Sequence, residues 1–144
     1  MLQASELNTG RYVVFLLHAH LILGTKYRRG VLTDRVREFL LPVMAKICTD
    51  FEARLEAFDG EDDHVHLLVC YPPKVALSTL VNSLKGASSR LIRKENFPEV
   101  TRHLWGDHFW SPSYCVVSCG DAPLDIIKQY VEQQRAPDRR KRSR

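Results

Sequence analysis

The 144-residue chain lacks any apolar run long enough to cross a bilayer; its longest, Tyr12 to Gly24, is broken by His18 and His20. Met1 to Gly10 lacks the basic and apolar regions of a secretory signal, so a cytoplasmic protein is expected. The four cysteines, Cys48, Cys70, Cys115 and Cys119, contain no CxxC pair. Without that pair or an export context they read as reduced, mostly buried thiols. No internal repeat is present, and collagen-like fibres and a disordered body are excluded by composition. What remains is an ordinary globular composition, 44% hydrophobic and 26% charged, with room for one core.

The net charge of +4 conceals segregation. Residues 135–144 hold six bases and one acid, a net of +5, so the other 134 residues sum to −1. Asp50 to Asp63 carries seven acids against Arg54 alone, a net of −6. Lys74 to Lys94 carries five bases and no acid. An acidic stretch beside a basic one fits a cation site next to a phosphate track, although solvated faces explain such runs more often.

Arg11 to Tyr27 reads as one long strand ending at Lys26-Tyr27-Arg28-Arg29-Gly30. Thr33 caps an expected helix with apolar positions Val36, Phe39, Leu40, Val43 and Ile47. Pro42 predicts a kink or a later start. Arg54 to Phe58 alternates as a strand, Asp59-Gly60 signals a turn, and His64 to Tyr71 forms the next strand up to Pro72-Pro73. Leu77, Leu80, Val81, Leu84, Leu91 and Ile92 trace one stripe of a second helix. Trp105 to Phe109 connects to a fourth strand, Trp110 to Val117, whose Pro112 indicates an edge or a bulge. After the breaker Ser118 to Pro123, Leu124 to Gln134 reads as a final helix. The fold class expected is α+β: a ferredoxin-like βαββαβ antiparallel sheet, helices on one face, plus a C-terminal helix. Residues 1–136 form the domain, and 137–144 a basic, disordered tail.

His64-Val65-His66 falls in a strand, where residues two apart share a face, so both imidazoles project together while Val65 faces the core. Side by side they can hold one divalent cation, and Glu61, Asp62 and Asp63 concentrate cations nearby. His18-Ala19-His20 has the same spacing, so spacing alone does not choose between the pairs. On the final helix Tyr130 and Gln134 stand one turn apart; by themselves they read equally as a packing stripe. Opposite the apolar stripe of the second helix lie Ser78, Asn82, Lys85, Ser89 and Arg93, flanked by Arg90 and Lys94. Gly86, Ser88 and Ser89 allow close backbone approach while the bases neutralise phosphates, which favours nucleic acid over a merely solvated face.

Taken together, Thr25-Lys26-Tyr27-Arg28-Arg29, Asp63-His64-Val65-His66-Leu67-Leu68, Leu84-Lys85-Gly86 and Tyr130 with Gln134 resemble the small single-tyrosine HUH transposases of minimal insertion sequences. HUH denotes His, a bulky hydrophobic residue, His. The resemblance covers residues 10–136 and implies that His64, His66 and Gln134 bind a metal, with Tyr130 as nucleophile. His18-Ala19-His20 falls outside the family motif. Lys26, Arg28 and Arg29 join Asn82, Lys85, Ser89, Arg90, Arg93 and Lys94 as DNA-binding candidates. The implied activity is cleavage and rejoining of single-stranded DNA at element ends, recognised as hairpins, through a 5′-phosphotyrosine. The implied cofactor is Mg²⁺ or Mn²⁺, without ATP, and the implied assembly is a homodimer in which the tyrosine helix can act in trans. Action on DNA would associate this cytoplasmic protein with the nucleoid, and no membrane is involved. The rival reading is a non-catalytic nucleic-acid-binding module on a ferredoxin-like fold. An RNA-binding sheet of that kind wants exposed aromatics in its central strands, where His64 to Tyr71 offers two histidines and a terminal tyrosine.

Overall fold

Period-two alternation in two apolar segments organises the molecule. The computed structural model describes residues 8–10, 12–104 and 108–118. Chain order runs β1 (Asn8–Gly10), β2 (Val13–Phe15), β3 (His18–Gly24), a 3-10 turn (Lys26–Arg28), α1 (Asp34–Asp50), β4 (Arg54–Gly60), β5 (His64–Cys70), α2 (Leu77–Glu95), α3 (Pro98–Leu104) and β6 (Cys115–Ser118). β1 and β2 form a hairpin, and the other strands form an antiparallel sheet in the order β4-β5-β3-β6. Apart from the hairpin and α3, this is the expected βαββαβ order.

Ala19, Leu21 and Leu23 of β3 and Val65, Leu67 and Val69 of β5 are buried. They form one core with Val36, Leu40 and Met44 of α1 and Leu80, Val81 and Leu84 of α2. Removing each large aliphatic side chain from water contributes about 1.5–3 kcal/mol. The even-numbered residues of β3 and β5 project to the opposite face, which therefore carries His18, His20, His64 and His66. Among the described residues no helix is long and apolar enough to cross a membrane.

Several expectations change. The long strand from Arg11 to Tyr27 is divided: Tyr12 takes φ 66°, the chain turns back as a β1–β2 hairpin, and β3 starts only at His18. At its far end Tyr27 and Arg28 also take positive φ, which ends the strand in a 3-10 turn. Asp59-Gly60 is not the turn but the end of β4, and the reversal falls at 61–63. Glycine is needed there because a Cβ on Gly60 would sit 2.5 Å from the His64 carbonyl oxygen. Pro42 lies inside α1, which begins at Asp34 as capped by Thr33; Pro42 is exposed and removes only the donor to the Glu38 carbonyl. Trp110 forms an isolated bridge to Thr25, and past Pro112 the last strand begins at Cys115, on the sheet edge. The expected helix from Leu124 to Gln134, the breaker beyond Ser118 and the basic tail lie outside the described residues.

The unexpected α3 starts at Pro98, where proline's missing donor costs nothing. Glu99 binds it to α1: Arg35 donates from Nε and Nη2 at 2.7 and 2.6 Å, and Thr33 Oγ1 donates at 2.7 Å. These bonds, Arg35 first, hold the Glu99 carboxyl down at about 2 from its usual 4.5. A depressed folded value means that the stabilisation is present above the unfolded pKa and is lost as pH falls from about 4.5 towards 2. Acid titration of thermal stability should therefore show the parent losing its margin over Glu99→Gln across that window. A margin independent of pH would show that the carboxylate does not bind α3 to α1.

Candidate functional site

The turn at 61–63 delivers Asp63 into the protein, where it is 6% exposed. Its main chain is fixed first: the Asp63 carbonyl accepts from Thr25 N at 2.9 Å and Thr25 Oγ1 at 3.3 Å. Thr25 Oγ1 also donates to the Arg29 carbonyl at 2.7 Å, closing the 3-10 turn onto the start of β5. The two carboxylate oxygens then divide. Oδ1 lies 2.9 Å from His64 Nδ1, and Oδ2 lies 3.1 Å from Arg28 Nη2. The guanidinium sits over Gly24, where a Cβ would stand 2.5 Å from Arg28 Nη1.

This arrangement has a chemical consequence. A carboxylate on Nδ1 sets that nitrogen as the donor and leaves Nε2 with its lone pair outward, the tautomer a metal requires. His64 is itself only 7% exposed, so its ring orientation is fixed by packing as well. Its Nε2 faces the Glu61 carboxylate at 3.8 Å. His66 projects on the same face, half-buried, with Nε2 2.7 Å from His20 Nδ1 and the two rings tilted at 4.9 Å between centroids. Burial holds the His66 pKa below its ordinary value, with His20 and His64 adding to the effect and Asp59 opposing it. A neutral imidazole is the ligating form. The donor set therefore suits a divalent cation. His20, on the pair that spacing could not exclude, enters this cluster as the neighbour of His66, a contact invisible without the β3–β5 register. In the sequence Asp63 is one of three neighbouring acids, and its direct bond to His64 depends on the turn.

The DNA-binding candidates separate into two groups. Asn82, Arg90 and Lys94 are exposed on α2, and Lys85, Ser89 and Arg93 are partly so, all off the buried stripe. Lys26 comes from the 3-10 turn to join Lys85, Gly86, Ser89, His108 and Pro112 around a cavity of about 330 Å³. Burial lowers the Lys85 pKa, and its ammonium lies 5.7 Å from the centre of the Tyr114 ring. Tyr27 is exposed at the rim, with Lys26 and Arg29 5.3 and 5.1 Å from its ring centre. Arg28 is a correction: its side chain turns inward to Asp63 instead of outward with Lys26. Ser88 is a second, because it is fully buried, accepting from Trp110 Nε1 at 2.9 Å. Tyr130 and Gln134 lie outside the described residues.

An antiparallel βαββαβ sheet bearing a His-Val-His pair on the face away from α1 and α2 is the α+β architecture expected for an HUH protein. The model of the IS200-like transposase family matches residues 13–134, and the chain belongs to that family. It is 34% identical over 129 residues to the ISDra2 transposase TnpA of Deinococcus radiodurans, covering 90% of this chain and 91% of that one. It is 28% identical over 120 residues to the transposase for insertion sequence element IS200 of Salmonella typhimurium, covering 83% and 78% respectively. A crystal structure of a chain from Deinococcus radiodurans R1 that carries a transposase assignment superposes with a TM-score of 0.79 at 38% identity, over 88% of this chain and 97% of that one. The REP-associated tyrosine transposase bound to a REP hairpin shares the fold, with a TM-score of 0.55 at 15% identity over 85% and 67%.

If Asp63 orients His64, Asp63→Asn should lower Mn²⁺ affinity about 10–100-fold by calorimetry. Leaving Arg28 buried without its counter-charge should also cost about 3–5 kcal/mol of folding stability. Unchanged Mn²⁺ affinity in the folded variant would remove the orienting role.

Proposed function

We propose that the chain cuts and rejoins single-stranded DNA at the ends of an insertion element, with Tyr130 attacking phosphorus to form a 5′-phosphotyrosine. The observation that carries this reading is the Asp63-held His64 beside His66 on the sheet face away from α1 and α2, in a chain of the IS200-like transposase family. His64, His66 and Gln134 would hold Mg²⁺ or Mn²⁺, which would require His66 to give up its His20 contact. When bound, the cation polarises a non-bridging phosphate oxygen and orients the scissile group. Imidazole donors favour Mn²⁺, and abundance favours Mg²⁺.

The chain's own residues do the rest. A free phenol has a pKa of about 10, so in this reading Tyr130 gives up its proton as it attacks. The bond to phosphorus replaces the bond to the leaving 3′-oxygen, which departs as a hydroxyl. A later 3′-hydroxyl reverses the exchange, so bond energy is conserved and ATP has no part. Lys26, Lys85, Arg90, Arg93 and Lys94 neutralise backbone phosphates, and the cavity between the 3-10 turn and α2 admits a splayed base. The hairpin held by the REP-associated relative supports hairpin ends as the ligand here. Two copies form a homodimer in which the tyrosine helix of one completes the other's site.

Tyr130→Phe removes only the attacking oxygen. On a denaturing gel this variant should give no protein–DNA adduct with single-stranded end DNA and Mn²⁺, while hairpin binding persists. Adduct formation by Tyr130→Phe would assign the nucleophile to another tyrosine. His64→Ala should likewise bind without cutting, and mixing the two variants should restore cleavage where the tyrosine acts in trans.

Gly86 supplies a second test, since nothing lies within 4 Å of a Cβ built there. Gly86→Ala should stabilise the free protein by about 0.5–1 kcal/mol as a helix-interior replacement. If the DNA backbone passes over α2 at this point, the same methyl should weaken hairpin binding. Undiminished binding by Gly86→Ala would move the DNA track off this face.

A further inference from the structure

On the same sheet face, but at the end remote from His64, a second group of ligating atoms converges. His18 of β3 stands opposite Cys70 of β5, and Cys70 stands opposite Arg54 of β4. A register shift between Leu55 and Ala57 places Glu56 in a bulge, and its carboxylate lies 2.8 Å from His18 Nε2. The His18 nitrogen, a Glu56 oxygen and the Cys70 sulfur all lie within 4.8 Å of one another. Cys70 is 3% exposed, so a nucleophilic sulfur is held in the interior beside an imidazole and a carboxylate.

We propose that His18, Glu56 and Cys70 form a divalent-cation site of the zinc class, separate from the His64–His66 pair. Six strand steps separate His18 from Gly24, the partner of His64, and four separate it from Ile22, the partner of His66, about 20 and 14 Å at about 3.4 Å per residue. One nitrogen, one oxygen and one sulfur suit Zn²⁺, whereas Mg²⁺ prefers oxygen alone. Bonds of about 2.0–2.3 Å in a tetrahedral set put donor atoms about 3.3–3.8 Å apart, so the 2.8 Å His18–Glu56 contact would open and any separation near the 4.8 Å limit would close by about 1 Å to take the ion. Binding releases the thiol proton to solvent, and the thiolate and carboxylate together neutralise the two positive charges.

The surroundings are built to orient these donors. Asn8 Nδ2 donates to Cys70 Sγ at 3.0 Å, and Arg54 donates to Glu56 Oε2 at 3.0 Å and to Asn8 Oδ1 at 2.6 Å. Asn8 and Arg54, which hold Cys70 and Glu56, also line a groove of about 590 Å³ together with Gly10, Val13, Glu52 and Pro72. Three protein ligands leave a fourth position for water. The ion would tie β3, β4 and β5 together where Asn8 of the β1–β2 hairpin meets the sheet.

Cobalt substitution tests this independently of DNA cleavage. The full chain, stripped by chelator under reducing conditions, is titrated with Co²⁺ and then Zn²⁺. A thiolate-to-cobalt charge-transfer band should appear, saturate at one sulfur-bound ion per chain and vanish on adding Zn²⁺. The proposed DNA-cleaving site contains no sulfur, so the His64→Ala/His66→Ala double variant should keep the band. Cys70→Ser should lose it, and His18→Gln and Glu56→Gln should each weaken Co²⁺ binding at least about tenfold, the low end for disturbing a site's ligation. Cys48→Ser and Cys115→Ser should leave it intact. Absence of a thiolate band in the folded parent, or a band undiminished by Cys70→Ser, overturns the site. Should Cys70→Ser fail to fold, unchanged affinity in both His18→Gln and Glu56→Gln overturns it instead.

Discussion

The structure turns on one buried carboxylate. Asp63 joins two parts of the chain that are distant in sequence, the start of β5 and the turn after β3: its carbonyl receives Thr25, one carboxylate oxygen receives His64, and the other faces Arg28. A buried carboxylate is costly unless hydrogen-bonded and paired, and here the compensation comes from the groups the site needs in place. The positive φ at Tyr27 and Arg28, the bare Cα of Gly24 beneath the guanidinium and the close approach at Gly60 gather around it. Each is a local departure from regular strand geometry at the junction of β3, β4 and β5. The His64 imidazole and the Lys26–Arg29 turn are thus positioned by the same bonds, which links the candidate metal site to the cavity beside α2.

Much of this was legible in the sequence because two periodicities dominate it. Alternation in His64-Val65-His66-Leu67 states directly that the imidazoles leave the core, and Val65 and Leu67 are indeed fully buried. The stripe from Leu77 to Ile92 likewise separates the apolar face of α2 from Asn82, Lys85 and Arg90. What periodicity does not carry is turn geometry and register. Asp59-Gly60 looks like a reversal, yet glycine serves there to let two strands approach, while Glu61 to Asp63 make the turn. Arg28 sits in a run of surface bases and is distinguished only by the backbone twist that sends it inward. Ser88 is small enough to suggest contact with DNA, whereas its hydroxyl receives the buried Trp110 indole. Helix α3 is too short for a stripe and depends on Glu99 reaching Arg35, a contact across 64 residues.

The charge segregation acquires a spatial meaning. The bases of α2 and the 3-10 turn meet around one cavity, and the acids of β4 and the following turn lie near His64 and His66. Glu61 faces His64, and Asp59 stands opposite His66 in the β4–β5 register. Negative charge beside the imidazoles attracts a cation, and positive charge beyond them attracts the phosphates that the cation would meet.

The central claim, that Asp63 presents His64 and His66 as one metal site, is tested most directly by anomalous scattering from crystals of the full chain with Mn²⁺ and single-stranded end DNA. The account predicts a manganese peak bound by His64 Nε2 and His66, with His64 Nδ1 still on Asp63 and His66 parted from His20. Manganese bound elsewhere, with His64 unligated and His66 still paired to His20, would contradict it.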